Sequence, residues 1–404
     1  MSTAGRVVVV GGGIIGTMHC LMALEAGFEV VHVERDIEPR GASVRNFGLV
    51  WVGGKAAGPE LALALRARRL WEEIALRVDG LHFRPAGPLT VAGSAAELRM
   101  MEQAARQDDA GIRQWQLLSA ESARGLCPEL SERSAGALYC GRDAVVEPRL
   151  AVNTLREHLR RQRGYSWASG REVVLLGERK VKDEHGEWFA GDRVLLCTGA
   201  QGVGLVAPHL GGPRVRRVRL QMLQTEPYPG TLGPALADCD SMRYYPAYDA
   251  GALAWLPPQA PIARSFAAQL LLVQRVDGCL TIGDTHDYDE PFPFDLEEEI
   301  YGYLLDRAAA VLRQPVPRVQ RRWAGVYSET IEKRSELYWR EEVLPGVEVV
   351  SGVGGRGMTC APAIAEQSVA WLSGNTPAAR PDAHLGLPER VSAGTASTTA
   401  TEEP

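Results

Sequence analysis

Short apolar runs and apolar helical stripes alternate along most of this 404-residue chain. Four valines at residues 7–10 predict a buried strand, which a glycine turn and an apolar helix follow. Residues 30–33 predict a second strand, which ends at Glu34. Strand, helix and strand in this order predict a βαβ unit with parallel strands, so the chain begins as an α/β protein.

Helical and strand-like patterns continue after this unit. Helices are predicted over residues 59–75 and 94–110. A helix start opens residues 119–130, and a turn followed by a helix is predicted within residues 146–161. Strands are predicted over residues 86–92, 171–176 and 192–197. Residues 211–324 are rich in proline and β-type stretches, one of them at 241–248, and a long helix predicted at 296–312 interrupts them. We expect a second, mostly antiparallel sheet there, before an α/β pattern returns at residues 347–372.

The first strand and helix are joined by three glycines with the spacing G-x-G-x-x-G. Gly11 permits a tight turn, Gly13 lets a pyrophosphate approach the backbone, and Gly16 lets helix and strand pack closely. The helix N-terminus stabilises phosphate charge, and Glu34 would accept hydrogen bonds from a ribose 2′-hydroxyl while repelling a 2′-phosphate. The complete order predicts a dinucleotide site that disfavours NADP. Glycines that serve packing alone are the alternative.

A second glycine loop follows the strand predicted at residues 347–350. Its glycines are Gly352, Gly354, Gly355 and Gly357. A helix is predicted to begin near residues 359–362, with Pro362 in its first turn. A second helix N-terminus implies a second polar or anionic ligand end, which suits the electron-rich edge of a reduced flavin better than a nicotinamide. An ordinary turn between strand and helix is the alternative.

Composition narrows the class of protein. A formal net charge of −6 without a dense basic run argues against a nucleic-acid-binding protein, and no apolar stretch reaches the roughly 20 residues that span a bilayer. Seven cysteines without a C-x-x-C pair indicate reduced thiols in a cytoplasmic protein rather than a disulfide framework or a metal site. The Ser/Thr/Ala-rich tail at residues 389–404 predicts disorder.

Several stretches of the chain resemble those of one family. They are VVVVGGGIIG, VERD, GASVRNFG at residues 41–48, LLCTGA, RLQMLQTEP, RRWAGVYSET and SGVGGRGMTCAPAIAE. Over residues 6–372 the chain resembles the D-amino-acid-oxidase-type FAD oxidoreductases, which include glycine oxidase and sarcosine oxidase. Within that family, the run ASVRNFGLVW looks most like a branch found beside phosphonate-degradation functions.

The resemblance implies two domains. An FAD-binding Rossmann-like domain would comprise residues 1–80, 145–210 and 325–388, and a mostly antiparallel substrate-binding domain would comprise residues 81–144 and 211–324. The residues expected to bind FAD lie in the glycine turns, the loop at 41–48 and two strand ends: Gly11, Gly13, Ile14, Ile15, Gly16, Glu34, Arg35, Ser43, Arg45, Asn46, Gly48, Thr198, Gly199, Gly354, Gly355, Gly357, Met358 and Thr359.

Two departures from sarcosine oxidase-like members bear on the flavin. The cysteine that links the flavin there has no counterpart in residues 324–330, which implies non-covalent FAD. Thr281 stands where those members place a lysine used for oxygen activation, so the electron acceptor, O2 or another, stays open.

The substrate residues follow from the same resemblance. Tyr327 stands where glycine oxidase-like members place an arginine for the substrate carboxylate, and Arg356 matches a second family arginine. The missing arginine argues against a standard α-amino acid. Arg243 and Tyr245 could help to bind a phosphonate, and His286 could take a proton from a substrate ammonium. Each has a structural alternative: flavin-rim packing for Arg356, a surface or core role for Arg243 and Tyr245, and a polar turn for His286.

These features predict the FAD-dependent oxidation of a small anionic primary or secondary amine, such as an aminophosphonate, by hydride transfer to flavin N5. The imine would hydrolyse to an aldehyde or keto product and an amine or ammonia. One alternative is an oxidase or dehydrogenase of an ordinary amino acid (glycine, sarcosine or a D-amino acid) or of a 2-hydroxy acid. An alternative of another class is a non-catalytic flavin-binding subunit of a complex. No metal is expected, and the sequence leaves the oligomeric state open.

Overall fold

The computed structural model describes residues 4–209, 212–248, 250–332 and 336–372. The strands are β1 Arg6–Val10, β2 Glu29–Glu34, β3 Leu49–Val50, β4 Leu89–Ala92, β5 Trp115–Ser119, β6 Gly136–Cys140, β7 Ala144–Val145, β8 Tyr165–Ser169, β9 Val173–Gly177, β10 Lys180–Asp183, β11 Trp188–Ala190, β12 Arg193–Leu196, β13 Val215–Pro227, β14 Leu236–Asp238, β15 Leu271–Gln274, β16 Cys279–Gly283, β17 Val319–Thr330, β18 Trp339–Leu344 and β19 Val347–Ser351. The helices are α1 Ile14–Glu25, α2 Pro59–Ala75, α3 Ala95–Ala104, α4 Ala110–Arg113, α5 Ala120–Leu126, α6 Pro148–Arg160, α7 Val203–Val206, α8 Ala250–Leu253, α9 Pro261–Ser265, α10 Glu298–Val311 and α11 Gly357–Leu372. The tail at residues 389–404, and the predicted end of the FAD-binding domain at residue 388, lie outside the described residues.

A six-stranded sheet is built around the N-terminal valine strand, in the order β18-β19-β12-β1-β2-β8. Its strand pairs are parallel except for β18 with β19, so the predicted βαβ unit is confirmed. Val7 and Val9 pack in one buried cluster with α1 and α11, whereas Val8 and Val10 pack in another with β9 and β10. Because both faces of β1 are covered, its apolar run is continuous rather than alternating.

An eight-stranded sheet has the order β17-β13-β16-β15-β14-β4-β6-β5. Its strand pairs are antiparallel except for β4 with β14, which confirms the expected mostly antiparallel sheet. Leu223 of β13 belongs to a buried cluster with Leu304 of α10. The neighbouring Met222 belongs to a different buried cluster, with Leu271 of β15. Side chains alternate between the two faces of a strand, so α10 covers one face and leaves the other for a site.

The structure differs from the sequence patterns in several elements. The β-type stretch at residues 241–248 is not a strand, because Cys239–Arg243 forms a short 3-10 helix whose N-terminus is capped by Asp238. The helix predicted at residues 94–110 ends at Ala104, and α4 is a separate helix. The strand predicted at residues 171–176 is β9, but the patterns missed β10 and β11, its partners in a small antiparallel sheet of the order β11-β10-β9. The predicted domain boundary between residues 324 and 325 lies inside β17, and the domain division itself stays a prediction.

Helix α11 begins earlier than predicted. It starts at Gly357, so Pro362 lies inside the helix rather than in its first turn. Proline has no N–H to donate to the carbonyl oxygen of Met358. That oxygen instead accepts a hydrogen bond of 2.9 Å from the indole nitrogen of Trp71, which ties α2 to the beginning of α11.

Three further observations concern the expectations from composition. None of the helices in the described residues has the length and apolar character needed to cross a membrane. Within the same residues, no group of three or more His, Cys, Asp or Glu side chains could hold a metal ion. All seven cysteines are buried and carry free thiols.

Candidate active site

One cavity of about 1240 Å³ extends from the first glycine turn to the face of the eight-stranded sheet that α10 leaves free. It is larger than the roughly 300–1,000 Å³ of a typical small-molecule pocket. Of the residues expected to bind FAD, all line this cavity except Gly16 and Gly48. The two glycine turns, which are far apart in sequence, therefore face one space.

The first turn requires glycine at two of its three positions. Gly11 has a φ of +111°, and a Cβ there would lie 2.4 Å from the carbonyl oxygen of Cys197. A Cβ on Gly16 would lie 1.9 Å from the carbonyl oxygen of Gly11, so this glycine serves the close packing of helix and strand. Gly13 is less confined, since its Cβ would meet only the hydroxyl of Ser43 at 3.1 Å.

Glu34 lies directly beside this turn. Its carboxylate accepts hydrogen bonds from the backbone N–H of Gly12 and, at 2.8 Å, from that of Asp36. Ser43 reaches the same region, where its hydroxyl accepts the N–H of Ile14 at 2.9 Å. The acid predicted at the end of the second strand therefore lies at the first glycine turn and lines the cavity.

The loop at residues 41–48 is held by Asn46. The Asn46 amide donates to the carbonyl oxygens of Ala42 and Ser43 at 2.8 and 2.9 Å, and its oxygen accepts the N–H of Gly48 at 2.7 Å. Arg45 donates to the carbonyl oxygen of Ala324 at 2.8 Å. Both Asn46 and Arg45 line the cavity, and their hydrogen bonds hold the loop in place.

The second glycine loop is open toward the cavity. Gly352 and Gly354 have φ angles of +68° and +65°, whereas a Cβ on Gly355 or Gly357 would meet nothing within 4 Å. The Thr359 hydroxyl accepts the N–H of Trp51 at 2.9 Å and donates to the carbonyl oxygen of Leu49 at 3.2 Å, so it joins β3 to α11. The N-terminus of α11 lies next to glycines, which have no side chains, and this arrangement fits the polar edge of a flavin ring.

Arg356 lines the cavity but has partners. Its Nε lies 2.6 Å from Oε1 of Glu60, and its Nη1 donates to the carbonyl oxygens of Leu337 and Val353. Burial alone would raise the pKa of Glu60, but nearby Lys55 and Arg356 lower it. The predicted anion clamp is therefore ion-paired with a buried carboxylate.

The structure does not bring Arg243 to the cavity. Its guanidinium lies 2.9 Å from a carboxylate oxygen of Asp240 and also donates to the carbonyl oxygen of Pro257. The other predicted substrate residues, His286, Tyr245 and Tyr327, do line the cavity.

His286 has two neighbours that the sequence reasoning missed. Its ring stacks on Tyr244, with centroids 4.1 Å apart, and its Nε2 lies 4.0 Å from Oδ2 of Asp284. Burial raises the pKa of Asp284, and the amide of Gln269 donates to its other oxygen at 3.1 Å. Asp284 comes two residues before His286, and this spacing was a signal that could have found it, because alternate residues of an extended chain share a face.

Three tyrosines line the cavity beside this pair; Tyr327 is buried, and Tyr244 and Tyr245 are partly buried. The hydroxyls of Tyr244 and Tyr327 are 3.5 Å apart, and Tyr245 stacks on Trp51 with ring centroids 5.1 Å apart. Burial raises the pKa of all three phenols. They stay protonated at neutral pH and can donate hydrogen bonds to an anionic ligand.

Comparisons with known proteins agree with this geometry. A family model described as FAD dependent oxidoreductase matches residues 6–371. One subunit of an opine oxidase from Rhizobium meliloti is 27% identical over 217 residues, which cover 50% of this chain and 58% of that relative, less than two thirds of its length.

Solved structures share the fold. Glycine oxidase from Bacillus cereus matches with a TM-score of 0.73 at 17% identity, covering 92% of this chain and 95% of its own. Iminodiacetate oxidase from Chelativorans matches with a TM-score of 0.70 at 18% identity, covering 91% and 95%. At such identities the likeness establishes the fold. It does not identify the substrate.

Proposed function

This chain belongs to the family of FAD-dependent oxidoreductases, and we propose that it oxidises a small primary or secondary amine that carries an anionic group. The observation that carries the proposal is the cavity that joins both glycine turns to His286, Asp284 and the three tyrosines. One space that can hold both a flavin and a small polar substrate suits direct transfer between them.

The residues present fit FAD. The turn at residues 11–16 and Glu34 would hold its adenosine and pyrophosphate, and the loop at residues 354–359 would hold the polar edge of its ring. We take the binding to be non-covalent, since residues 324–330 contain no cysteine. The seven free thiols support a reducing compartment such as the cytoplasm.

When bound, FAD supplies an acceptor, its N5 atom, for the hydride that leaves the carbon beside the amine nitrogen. The amine must first be neutral, and His286 is the candidate group to take its proton. The His286 Nδ1 contacts the carbonyl oxygen of Ala267 at 3.1 Å, which leaves Nε2 as the basic nitrogen. Water then hydrolyses the imine to an aldehyde or keto product and an amine or ammonia, and O2 or another acceptor takes the electrons.

For the anionic group we propose a phosphonate, as in an N-methylated aminoethylphosphonate. The phenols of Tyr245 and Tyr327 can donate to its oxygens, and Arg356 stays a predicted contact although Glu60 shares its charge. The run at residues 42–51, which resembles a phosphonate-associated branch, supports the same substrate.

The names of the relatives favour a second candidate. Glycine oxidase, iminodiacetate oxidase and opine oxidase are names of enzymes for carboxylate-bearing substrates, so an ordinary or N-substituted amino acid is the alternative substrate. The opine oxidase relative is one subunit of its enzyme, which implies partner chains there and keeps the possibility of a flavin-binding subunit open to test.

Anaerobic bleaching of the flavin absorbance tests the proposal. The purified protein should be yellow and should release its flavin on denaturation. We expect 2-(methylamino)ethylphosphonate to bleach it, and glycine, sarcosine, D-alanine and glycolate to leave it oxidised. Bleaching by glycine or sarcosine alone would favour the second candidate, and a protein that cannot be reconstituted with FAD would reject both.

A further inference from the structure

We propose that Lys55 and the indole N–H of Trp51 bind the anionic group of the substrate. This assignment rests on the proposed oxidation of an anionic amine, and it names the groups that recognise the anion. Neither residue was among those that the sequence pattern pointed to. Both follow β3, and both line the cavity.

Lys55 is a buried cation on a short turn. Its side chain belongs to a residue that is 5% exposed, and its backbone N–H donates to the carbonyl oxygen of Val52 at 3.1 Å. Among the described residues, no carboxylate lies within 4.0 Å of its ammonium group. The nearby Glu60 already accepts hydrogen bonds from Arg356 and from the backbone N–H of Ala56.

A buried ammonium without a close counter-ion is unfavourable. Burial lowers the pKa of Lys55, and the charge of Arg356 acts in the same direction, while Glu60, Asp143 and the thiol of Cys360 oppose the shift. An anion entering the cavity would supply the missing counter-charge and favour the charged lysine. The cost of burying Lys55 is then offset when substrate binds.

Trp51 lines the same cavity and carries an unpaired donor. The residue is 5% exposed, and its Nε1 has no hydrogen-bond partner among the described residues. A Cβ on Gly54 would lie 2.3 Å from that Nε1 and 2.6 Å from the ring of Tyr245, so the backbone before Lys55 touches the indole edge. A buried unpaired N–H is unfavourable, and a hydrogen bond to a ligand oxygen would remove that cost.

The donor set favours a tetrahedral anion. Two of the arginines that line the cavity already have partners. Arg356 forms an ion pair with Glu60, and Arg45 donates to the carbonyl oxygen of Ala324. A planar carboxylate is best bound by the fork of a free guanidinium, whereas a lysine acts as a point charge with three N–H groups. A phosphonate offers three oxygens and a higher charge to such a set.

Calorimetric titration of the FAD-loaded protein with methylphosphonate tests the assignment without turnover. We expect Lys55→Met to weaken binding by about tenfold or more and Trp51→Phe by about threefold to tenfold. Lys55→Gln should match Lys55→Met, which covers the case in which one variant folds poorly. Lys180→Met is the matched control, since Lys180 lies on β10 with its ammonium over the ring of Trp188, and it should bind as the wild type does.

The outcomes separate the two proposals. Wild-type affinity in Lys55→Met, or weakened FAD retention with unchanged methylphosphonate binding, would overturn the role of Lys55 in binding the anion. Absence of methylphosphonate binding to the wild type would do the same. If methylphosphonate binds through Lys55 but no amine bleaches the flavin, the oxidation of amines fails while the anion site stands.

Discussion

Nε2 of His286 lies 4.0 Å from Oδ2 of Asp284, on the side of the imidazole opposite the bond to Ala267. A carbonyl oxygen can only accept, so Nδ1 carries the hydrogen and Nε2 is the nitrogen available to a proton. A carboxylate at that distance stabilises the imidazolium that would form. This arrangement supports the proposal that His286 takes a proton from the substrate ammonium.

Replacing Asp284 tests this role. We expect Asp284→Asn to slow anaerobic flavin bleaching by about 10-fold to 100-fold, because the imidazolium loses its counter-charge. Anaerobic stopped-flow absorbance of the flavin measures this rate.

Two controls accompany this variant. The melting temperature at neutral pH should not fall in Asp284→Asn, because the amide oxygen can still accept the hydrogen bond from Gln269 and the cost of burying a carboxylate, which raises the pKa of Asp284, is removed. His286→Asn should slow bleaching at least as much as Asp284→Asn, and the double variant should be no slower than His286→Asn alone. Full bleaching rates in Asp284→Asn would exclude the pair as the proton acceptor.

Two substitutions in the first glycine turn should separate an effect on folding stability from an effect on FAD binding. In Gly16→Ala the new Cβ would clash with the carbonyl oxygen of Gly11, so the protein should lose stability with or without FAD. In Gly13→Ala the Cβ meets only the Ser43 hydroxyl at 3.1 Å, so the apo protein should keep its melting temperature. FAD affinity should nevertheless fall by about tenfold or more, because the new Cβ would block the approach of the pyrophosphate to the backbone.

Melting temperature and FAD content of the two variants check this. Gly302→Ala in α10 is the control, since its Cβ would meet nothing within 4 Å. Normal FAD content in Gly13→Ala would mean that the pyrophosphate does not approach this part of the turn.

The pair of Arg356 and Glu60 gives a third prediction. Arg356→Met should weaken the binding of an anionic substrate with little change in FAD retention. It also leaves the buried Glu60 carboxylate without its guanidinium, which should cost about 3–5 kcal/mol of the free energy of unfolding. Adding Glu60→Gln should restore most of that stability.

Denaturant unfolding of the two variants measures the stability effect, and calorimetry with methylphosphonate measures the anion. If the double variant recovers both stability and anion affinity, Arg356 serves only to neutralise Glu60. If stability returns and affinity does not, the predicted contact between Arg356 and the anion stands.

The sequence was most informative where backbone geometry leaves few choices. The spacing of Gly11, Gly13 and Gly16 predicted the first turn, since side chains at two of these positions would clash with the backbone. The continuous valine run predicted a strand covered on both faces, as β1 is. Such constraints act over a few neighbouring residues, and one sequence is enough to read them.

The sequence was least informative where distant segments meet. Arg243 and Tyr244 are neighbours, but the fold pairs Arg243 with Asp240 and places Tyr244 on His286. Residues 241–248 have strand-like composition, yet Tyr244 and Tyr245 line the cavity and Tyr248 stacks on Trp115, and none of them joins a sheet. No sequence pattern pointed to Lys55, because its burial depends on contacts between segments that are distant in sequence.

Asp143 positions the turn that carries Lys55 and gives a pH-dependent prediction. One oxygen of its carboxylate accepts the backbone N–H groups of Val52 and Gly53. Complete burial raises the pKa of Asp143 from 3.8 to about 6. Between these values the unfolded chain has lost the proton that the folded protein keeps, so the free energy of unfolding falls as pH rises.

Asp143→Asn should remove this fall, because the amide oxygen still accepts the two N–H groups and carries no charge. The variant should equal the wild type near pH 4 and exceed its free energy of unfolding by about 1–3 kcal/mol near pH 7.5. Urea unfolding at both pH values measures the difference, and Asp108→Asn, at an exposed position, should follow the wild type. A constant offset of Asp143→Asn from the wild type at both pH values would show that the buried carboxylate is not the group that titrates.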